Sequence, residues 1–212
     1  MTETTVPDLV AEIQKRALGK PRLLVAIAGP PGAGKSTLAA DLAARIGPRA
    51  AVLPMDGFHL DNETLVARQL LHRKGAPQTF DAAGLVALLQ KLRDGGAATY
   101  PTFDREADRT RPDDGQMSAA VKVVLAEGNY LLLNTPPWAD LADIFDLTVR
   151  MQVDRAILEA RLLARWLDHG MTQSDAQKRV QENDMRNADF VAHHSRAADF
   201  DLMWPPKGPR DV

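Results

Sequence analysis

Cysteine is absent from this 212-residue chain. Its absence excludes disulfides, thiolate zinc sites and a thiol nucleophile together, and it fits a reducing cytoplasm. Charge of one sign is lacking as well. The chain has 26 Lys+Arg against 28 Asp+Glu, so neither a basic surface for nucleic acid nor an acidic solvating tail is expected. Long apolar runs are missing too. The longest, Leu23 to Ala28, is far short of the ~20 residues a membrane helix needs. The opening segment lacks the charged-then-apolar pattern of an export signal, and no internal repeat or low-complexity tract is present. The expectation is a cytoplasmic protein with no membrane insertion and no nucleic-acid partner. Hydrophobic residues at 45% and charged residues at 25% are ordinary globular proportions. At ~150 residues per domain as a prior, residues 1–212 are expected to form one domain that buries its core without staples.

What is present alternates between strand and helix patterns. Leu23 to Ala28 is continuously apolar, as a strand buried on both faces should be, and a helix is expected over 33–46. Short apolar runs at 51–55 and 121–126 read as further strands, the alternation of Leu147, Val149, Met151 and Val153 as a fourth, and 198–204 as a fifth, partly polar one. Asp61 caps a helix reaching about His72. Asp81 caps another, with Leu85, Leu88, Leu89 and Leu92 on one stripe and Gly95-Gly96 as its stop. Asp154 opens a helix that ends before Gly170, and Thr172 and Asp175 have capping-box spacing for the next. Periodicity disappears from about 95 to 120, which predicts an irregular segment. The tail over 205–212 is expected to fray. This alternation predicts an α/β fold with a mainly parallel sheet, and ligands beyond the carboxyl ends of its strands.

The strongest chemical signal is Gly29-Pro30-Pro31-Gly32-Ala33-Gly34-Lys35-Ser36. It satisfies G-x-x-x-x-G-K-[ST] between a buried strand and a helix. Its glycines let backbone N–H groups turn toward phosphate oxygens, and the helix N-terminus adds partial positive charge. Lys35 is placed to reach the β- and γ-phosphates, Ser36 to ligate magnesium and Thr37 to contact the α-phosphate. ATP and Mg²⁺ are therefore the expected cofactors. A guanine-specificity motif is missing, and Asp81-Ala82-Ala83-Gly84, which matches D-x-x-G, opens a helix with no strand before it.

Two acids follow strands. Asp56, in Met55-Asp56-Gly57-Phe58-His59, could take the proton of an attacking hydroxyl or hold magnesium through water; the plain alternative is a turn aspartate. Glu127 closes the third strand, where it could organise magnesium or its waters; the alternative is a strand-end ion pair. Arg161 and Arg165 share one helix face and could act as a lid over the triphosphate. His59, Tyr100, Phe103, Arg105, Arg109 and Arg111 are candidates for the acceptor side.

These motifs, with Arg73-Lys74-Gly75-Ala76-Pro77-Gln78-Thr79-Phe80-Asp81, Tyr100-Pro101-Thr102-Phe103-Asp104 and Leu125-Ala126-Glu127-Gly128-Asn129-Tyr130, resemble the uridine kinase, phosphoribulokinase and bacterial pantothenate kinase group of P-loop kinases. Within that group the chain is most similar to proteins described as fructose transport system kinases. The likeness covers roughly residues 20–204. It implies a P-loop NTPase-type three-layer α/β/α domain with a five-stranded sheet and a small helical lid over about 154–188. It also implies Asp56 as base, Glu127 near magnesium, the Arg161/Arg165 helix as lid, and a homodimer. Phe103 departs from the tyrosine common in the uridine kinase and phosphoribulokinase branches, and 105–108 has no histidine. The expected activity is ATP-dependent phosphorylation of a hydroxyl on a small metabolite, with a sugar as acceptor. Pantothenate or a nucleoside is the alternative acceptor, and a transporter-associated ATPase or nucleotide sensor the alternative class.

Overall fold

The structure, a computed structural model, describes residues 4–204; the tail expected to fray lies outside them. The chain opens with α1 (Val6–Arg16), which the absence of an export signal left unassigned. Thr5 and Asp8 form a capping box, and Leu9 and Ile13 point inward. β1 (Leu23–Ala28) leads through the glycine-rich loop to α2 (Lys35–Ile46). The helix begins two residues later than its composition suggests, because Gly34 still belongs to the loop at φ 91. β2 (Ala50–Pro54) gives way to a 3₁₀ turn over Met55–Phe58. α3 (Asn62–Ala67) stops well short of His72, and Gln69 just beyond it takes φ 57. α4 (Ala82–Arg93) runs as expected from its Asp81 cap.

The 95–120 segment is a correction. It is an antiparallel hairpin of β3 (Ala98–Asp104) and β4 (Arg109–Met117), with a register shift between Tyr100 and Thr102. Most of β4 is exposed, so it carries no apolar alternation to read. Polar cross-strand contacts hold it instead: Thr99 to Asp113 at 2.6 Å, Thr102 to Asp114 at 2.6 Å and an Arg111–Asp104 ion pair. β5 (Val123–Gly128) and β6 (Leu147–Gln152) follow, then α5 (Arg155–Asp168) and α6 (Gln173–Arg179). A π-helical stretch, Val180–Asp184, joins α6 to α7 (Met185–His194), and β7 (Phe200–Met203) closes the sheet.

The five-stranded sheet has the order β2-β5-β1-β6-β7 and is parallel throughout. Side chains of β1 divide by parity, as a central strand requires. Leu24, Ala26 and Ala28 pack with Leu85, Leu89 and Leu92 of α4. Leu23, Val25 and Ile27 pack with Leu9 and Ile13 of α1 and Leu38 and Leu42 of α2. Helices thus cover both faces in a three-layer α/β arrangement. The carboxyl ends of β1, β2 and β5 converge on one edge, where Pro54 and Ile27 both lie in register with Glu127.

Candidate active site

The loop between β1 and α2 is shaped by close approach and by two left-handed glycines. A Cβ on Gly29 would lie 3.1 Å from both Cβ and carbonyl oxygen of Met151, and Gly32 and Gly34 have φ of 77 and 91. No side chain caps the start of α2, so its first-turn N–H groups are free for an anion. Lys35 is buried; its Nζ donates to the Pro30 carbonyl at 3.0 Å and to Asn129 Oδ1 at 2.7 Å. Ser36 Oγ donates to Glu127 Oε1 at 2.8 Å. Burial pushes the Glu127 carboxyl up and the Lys35 ammonium down, and the opposite charge of each partner offsets part of both shifts. A phosphate beside Lys35 would give the ammonium the counter-charge its burial withholds, and a cation bound to that phosphate would do the same for Glu127.

The facing wall is made of turns. Asp56 sits in the 3₁₀ turn after β2, one residue beyond where a strand-end acid would be. Arg105, at the tip of the hairpin, donates from Nη2 to Asp56 Oδ2 at 2.6 Å. Gly57 leaves no open space for a ligand, contrary to what its small size suggests. An added Cβ would overlap the Pro101 carbonyl oxygen, so glycine is what lets the hairpin dock on the turn that carries Asp56. His59 stacks between Phe80 at 4.0 Å and Phe103 at 4.6 Å, with Nδ1 2.8 Å from the Asp56 carbonyl. Burial lowers its pKa, which keeps the ring neutral. From the helical segment after β6, Trp166 lies beneath the guanidinium groups of Arg165 at 5.4 Å and Arg179 at 5.2 Å. Its Nε1 donates to Asp184 Oδ2 at 2.5 Å, and burial raises the Asp184 pKa.

A cleft of about 360 Å³ joins these walls. It is lined by Pro31, Gly32, Gly34, Lys35, Ser36, Thr37, Asp56, His59, Phe103, Arg105, Glu127 and Arg165 among the expected residues. Gly29, Pro30 and Ala33 shape the loop without lining the cleft. Tyr100 does not reach it: its ring covers Gly115 across the hairpin. Arg161 also differs from expectation, since its Nη1 turns to the carbonyls of Gly32 at 3.3 Å and Ala33 at 3.5 Å. Arg111 is spent on Asp104 within the hairpin, and Arg109 is exposed outside the cleft. Lys74, Asn129, Trp166, Arg179, Asp184 and Asn187 line it without having been anticipated. Asn129 follows Glu127 by two positions and Lys74 lies in a selective motif, so both had a readable signal. The other four come from helical positions whose facing depends on tertiary packing.

Among the described residues no cluster of three His, Cys, Asp or Glu groups could hold a metal. Magnesium needs none, because it is commonly bound by one or two carboxylates together with substrate phosphates. The adjoining hydroxyl of Ser36 and carboxylate of Glu127, all oxygen, fit that ion, and Asp56 lines the same cleft.

No family model matches the chain. Individual relatives do. A Schizosaccharomyces pombe protein named "Putative uridine kinase C227.14" is 36% identical over 199 residues, spanning 86% of this chain and 83% of that one. The crystal structure of a "putative fructose transport system kinase" from Silicibacter sp. TM1040 superposes with a TM-score of 0.89 at 43% identity, over 95% of this chain and 100% of that one. Pantothenate kinase of Mycolicibacterium gilvum is 28% identical over 169 residues, 77% of this chain and 54% of that protein. Fold, loop and these relatives together define a nucleotide-binding phosphotransferase of the kinase class. Within that class, the chain belongs to the uridine kinase-like group of P-loop kinases. Among the described residues no helix is long and apolar enough to cross a membrane.

Proposed function

We propose that this cleft transfers the γ-phosphoryl group of ATP to a hydroxyl of a small sugar-like metabolite, with Asp56 as the base. The observation that carries the reading is the juxtaposition of the two walls. Lys35, Ser36, Glu127 and the free amides of α2 form a phosphate-binding side, and Asp56 faces the same 360 Å³ space. In the step, the acceptor hydroxyl loses its proton to the Asp56 carboxylate as its oxygen bonds to the γ-phosphorus. The bond from that phosphorus to the β–γ bridging oxygen breaks, and ADP leaves with the electron pair. Lys35 and Arg165 face the charge that shifts onto the bridging oxygen. Arg161 holds the loop carbonyls and so acts as a positioning residue. Ser36 and Glu127, with Asp56 as a further candidate, would hold Mg²⁺, which when bound neutralises phosphate charge.

A sugar acceptor is supported by the likeness to the fructose transport system kinase from Silicibacter named above; pantothenate and nucleosides are the competing acceptors. The test is ADP formation against a panel of sugars, sugar derivatives, nucleosides and pantothenate, with phosphorylated product measured beside free phosphate. Acceptor-dependent ADP and a matching phosphorylated product are expected. ADP release with free phosphate alone, unaffected by any acceptor, would instead indicate an ATPase.

A further inference from the structure

Two charged groups on the acceptor wall are occupied by the tip of the β3–β4 hairpin. Arg105 takes Asp56, as described. Three residues on, Asp108 takes Lys74: its carboxylate Oδ1 lies 2.8 Å from Lys74 Nζ. The Asn62 side-chain amide sits 3.4 Å from the other oxygen, Oδ2, and also 3.3 Å from the Asp108 carbonyl. Away from the hairpin tip, Lys74 is held by Asn62: its Nζ donates to Asn62 Oδ1 at 2.7 Å. The tip itself offers Nζ the Asp108 carbonyl at 2.8 Å as well as the carboxylate, and the ammonium lies 5.1 Å from the Phe103 ring centre.

The partners of this ion pair are unequal. The Lys74 side chain is 10% exposed, whereas that of Asp108 is 59% exposed. Asp108 also holds φ 46, a left-handed conformation that aspartate and asparagine adopt more readily than other side chains. A buried ammonium needs a counter-charge, but an exposed carboxylate contributes little to holding its partner and can be exchanged. The Arg105–Asp56 pair has the same asymmetry, at 52% and 29% exposure. The guanidinium engages one oxygen of Asp56 and favours its ionised form, so opening this pair makes the carboxylate a stronger base.

We propose that Lys74 and Asn62 form an anion subsite for the acceptor, that Asp108 occupies it as an internal stand-in, and that the acceptor carries a carboxylate or phosphate as well as the reacting hydroxyl. The acceptor's anion replaces Asp108 on Lys74, and its hydroxyl replaces Arg105 on Asp56. Both exchanges draw on one hairpin tip, which couples recognition of the anion to release of the base. The inference rests on the kinase reading and narrows its acceptor to sugar acids, sugar phosphates and hydroxy acids.

Matched pairs of acceptors test it: D-glycerate and glycerol, gluconate and glucose, pantothenate and panthenol for the carboxylate arm, and fructose 6-phosphate and fructose for the phosphate arm. Acceptors that support turnover are expected on the anionic side of their pairs, and the arm that responds identifies the anion. Lys74→Gln should then raise KM for the active anion by roughly 10–100-fold, the loss of one charge-assisted hydrogen bond, with little change in kcat. Asp108→Asn, which suits the left-handed conformation and sits on the surface, should lower that KM several-fold by removing the internal competitor. Equal turnover of neutral and anionic partners, or an Asp108→Asn variant with raised or unchanged KM, would overturn the anion subsite while leaving the kinase reading intact. Turnover with no acceptor, while ATP still protects the chain from unfolding, would overturn both.

Discussion

The two walls of the cleft are built differently. On the phosphate side, Lys35, Ser36 and Glu127 project from elements anchored in the sheet: Glu127 lies on a central strand and is 7% exposed. Its hydrogen bonds link the start of a helix to the end of a strand about ninety positions away. On the acceptor side, Asp56, Lys74, Arg105 and Asp108 sit on a 3₁₀ turn, a connecting segment and a hairpin tip, and they pair with one another. One wall is anchored in the sheet. The other holds its charges in pairs between loop residues, whose sequence can change without touching the sheet.

The largest effect is expected on the preformed wall. Lys35→Ala should lower turnover by about 10²–10³-fold, the usual cost of removing one preorganised electrostatic donor, with the fold retained in circular dichroism. Near-normal turnover would remove the distinction between the walls. Arg161 and Arg165 sharpen it at a smaller scale. Arg165 lines the cleft and Arg161 does not, so Arg165→Ala should slow turnover by roughly 10–100-fold, as expected for one hydrogen bond to a charged group. Arg161→Ala should weaken ATP binding more than it slows turnover, because it acts through the loop carbonyls. Steady-state kinetics beside nucleotide titration separates the two.

Smaller still is the effect of loosening the acceptor wall. Gly57→Ala forces a Cβ against the Pro101 carbonyl, and overpacking of this kind should lower Tm by roughly 2–10 °C. KM for the acceptor should rise while ATP affinity holds; an equal rise for both substrates would tie the hairpin to the phosphate side. The smallest predicted effect has the opposite sign. Burial holds the Glu127 carboxyl above its ordinary 4.5, so the folded chain binds that proton more tightly than the unfolded one. Wild-type stability therefore falls as pH rises above 4.5 through the raised folded value. Glu127→Gln escapes that loss and can still accept the Ser36 hydrogen bond. Its Tm should match wild type near pH ~4 and exceed it at neutral pH. Differential scanning fluorimetry across pH measures it.

The contrast between the walls also decided what was legible in the sequence. Strands buried on both faces are continuous apolar runs, so β1 and β5 could be read directly, and with them the loop, Lys35, Ser36 and Glu127; β6 was legible through the alternation of Leu147, Val149 and Met151. Asp81 and Thr172 announced their helices through capping chemistry that is local in the chain. The hairpin was invisible because its stability lies in polar cross-strand pairs, which have no apolar period. Arg161 and Arg165 share a helical face by spacing, yet one reaches loop carbonyls and the other the cleft. Spacing fixes a side, not a contact. The cluster of Trp166, Arg179 and Asp184 depends on the π-helical stretch that sets the facing of Asp184, and no local pattern marks that stretch.

The central claim is that Asp56 takes the proton of an acceptor hydroxyl in a cleft whose other wall already holds the nucleotide. Asp56→Asn keeps the side chain's size and removes its basic oxygen. Turnover with an active acceptor and ATP dissociation constant, measured on the same variant, test the claim together. A loss of at least ~10²-fold in turnover is expected, with ATP affinity changed only a few-fold. Unchanged turnover, or ATP affinity collapsing in step with it, would contradict the account.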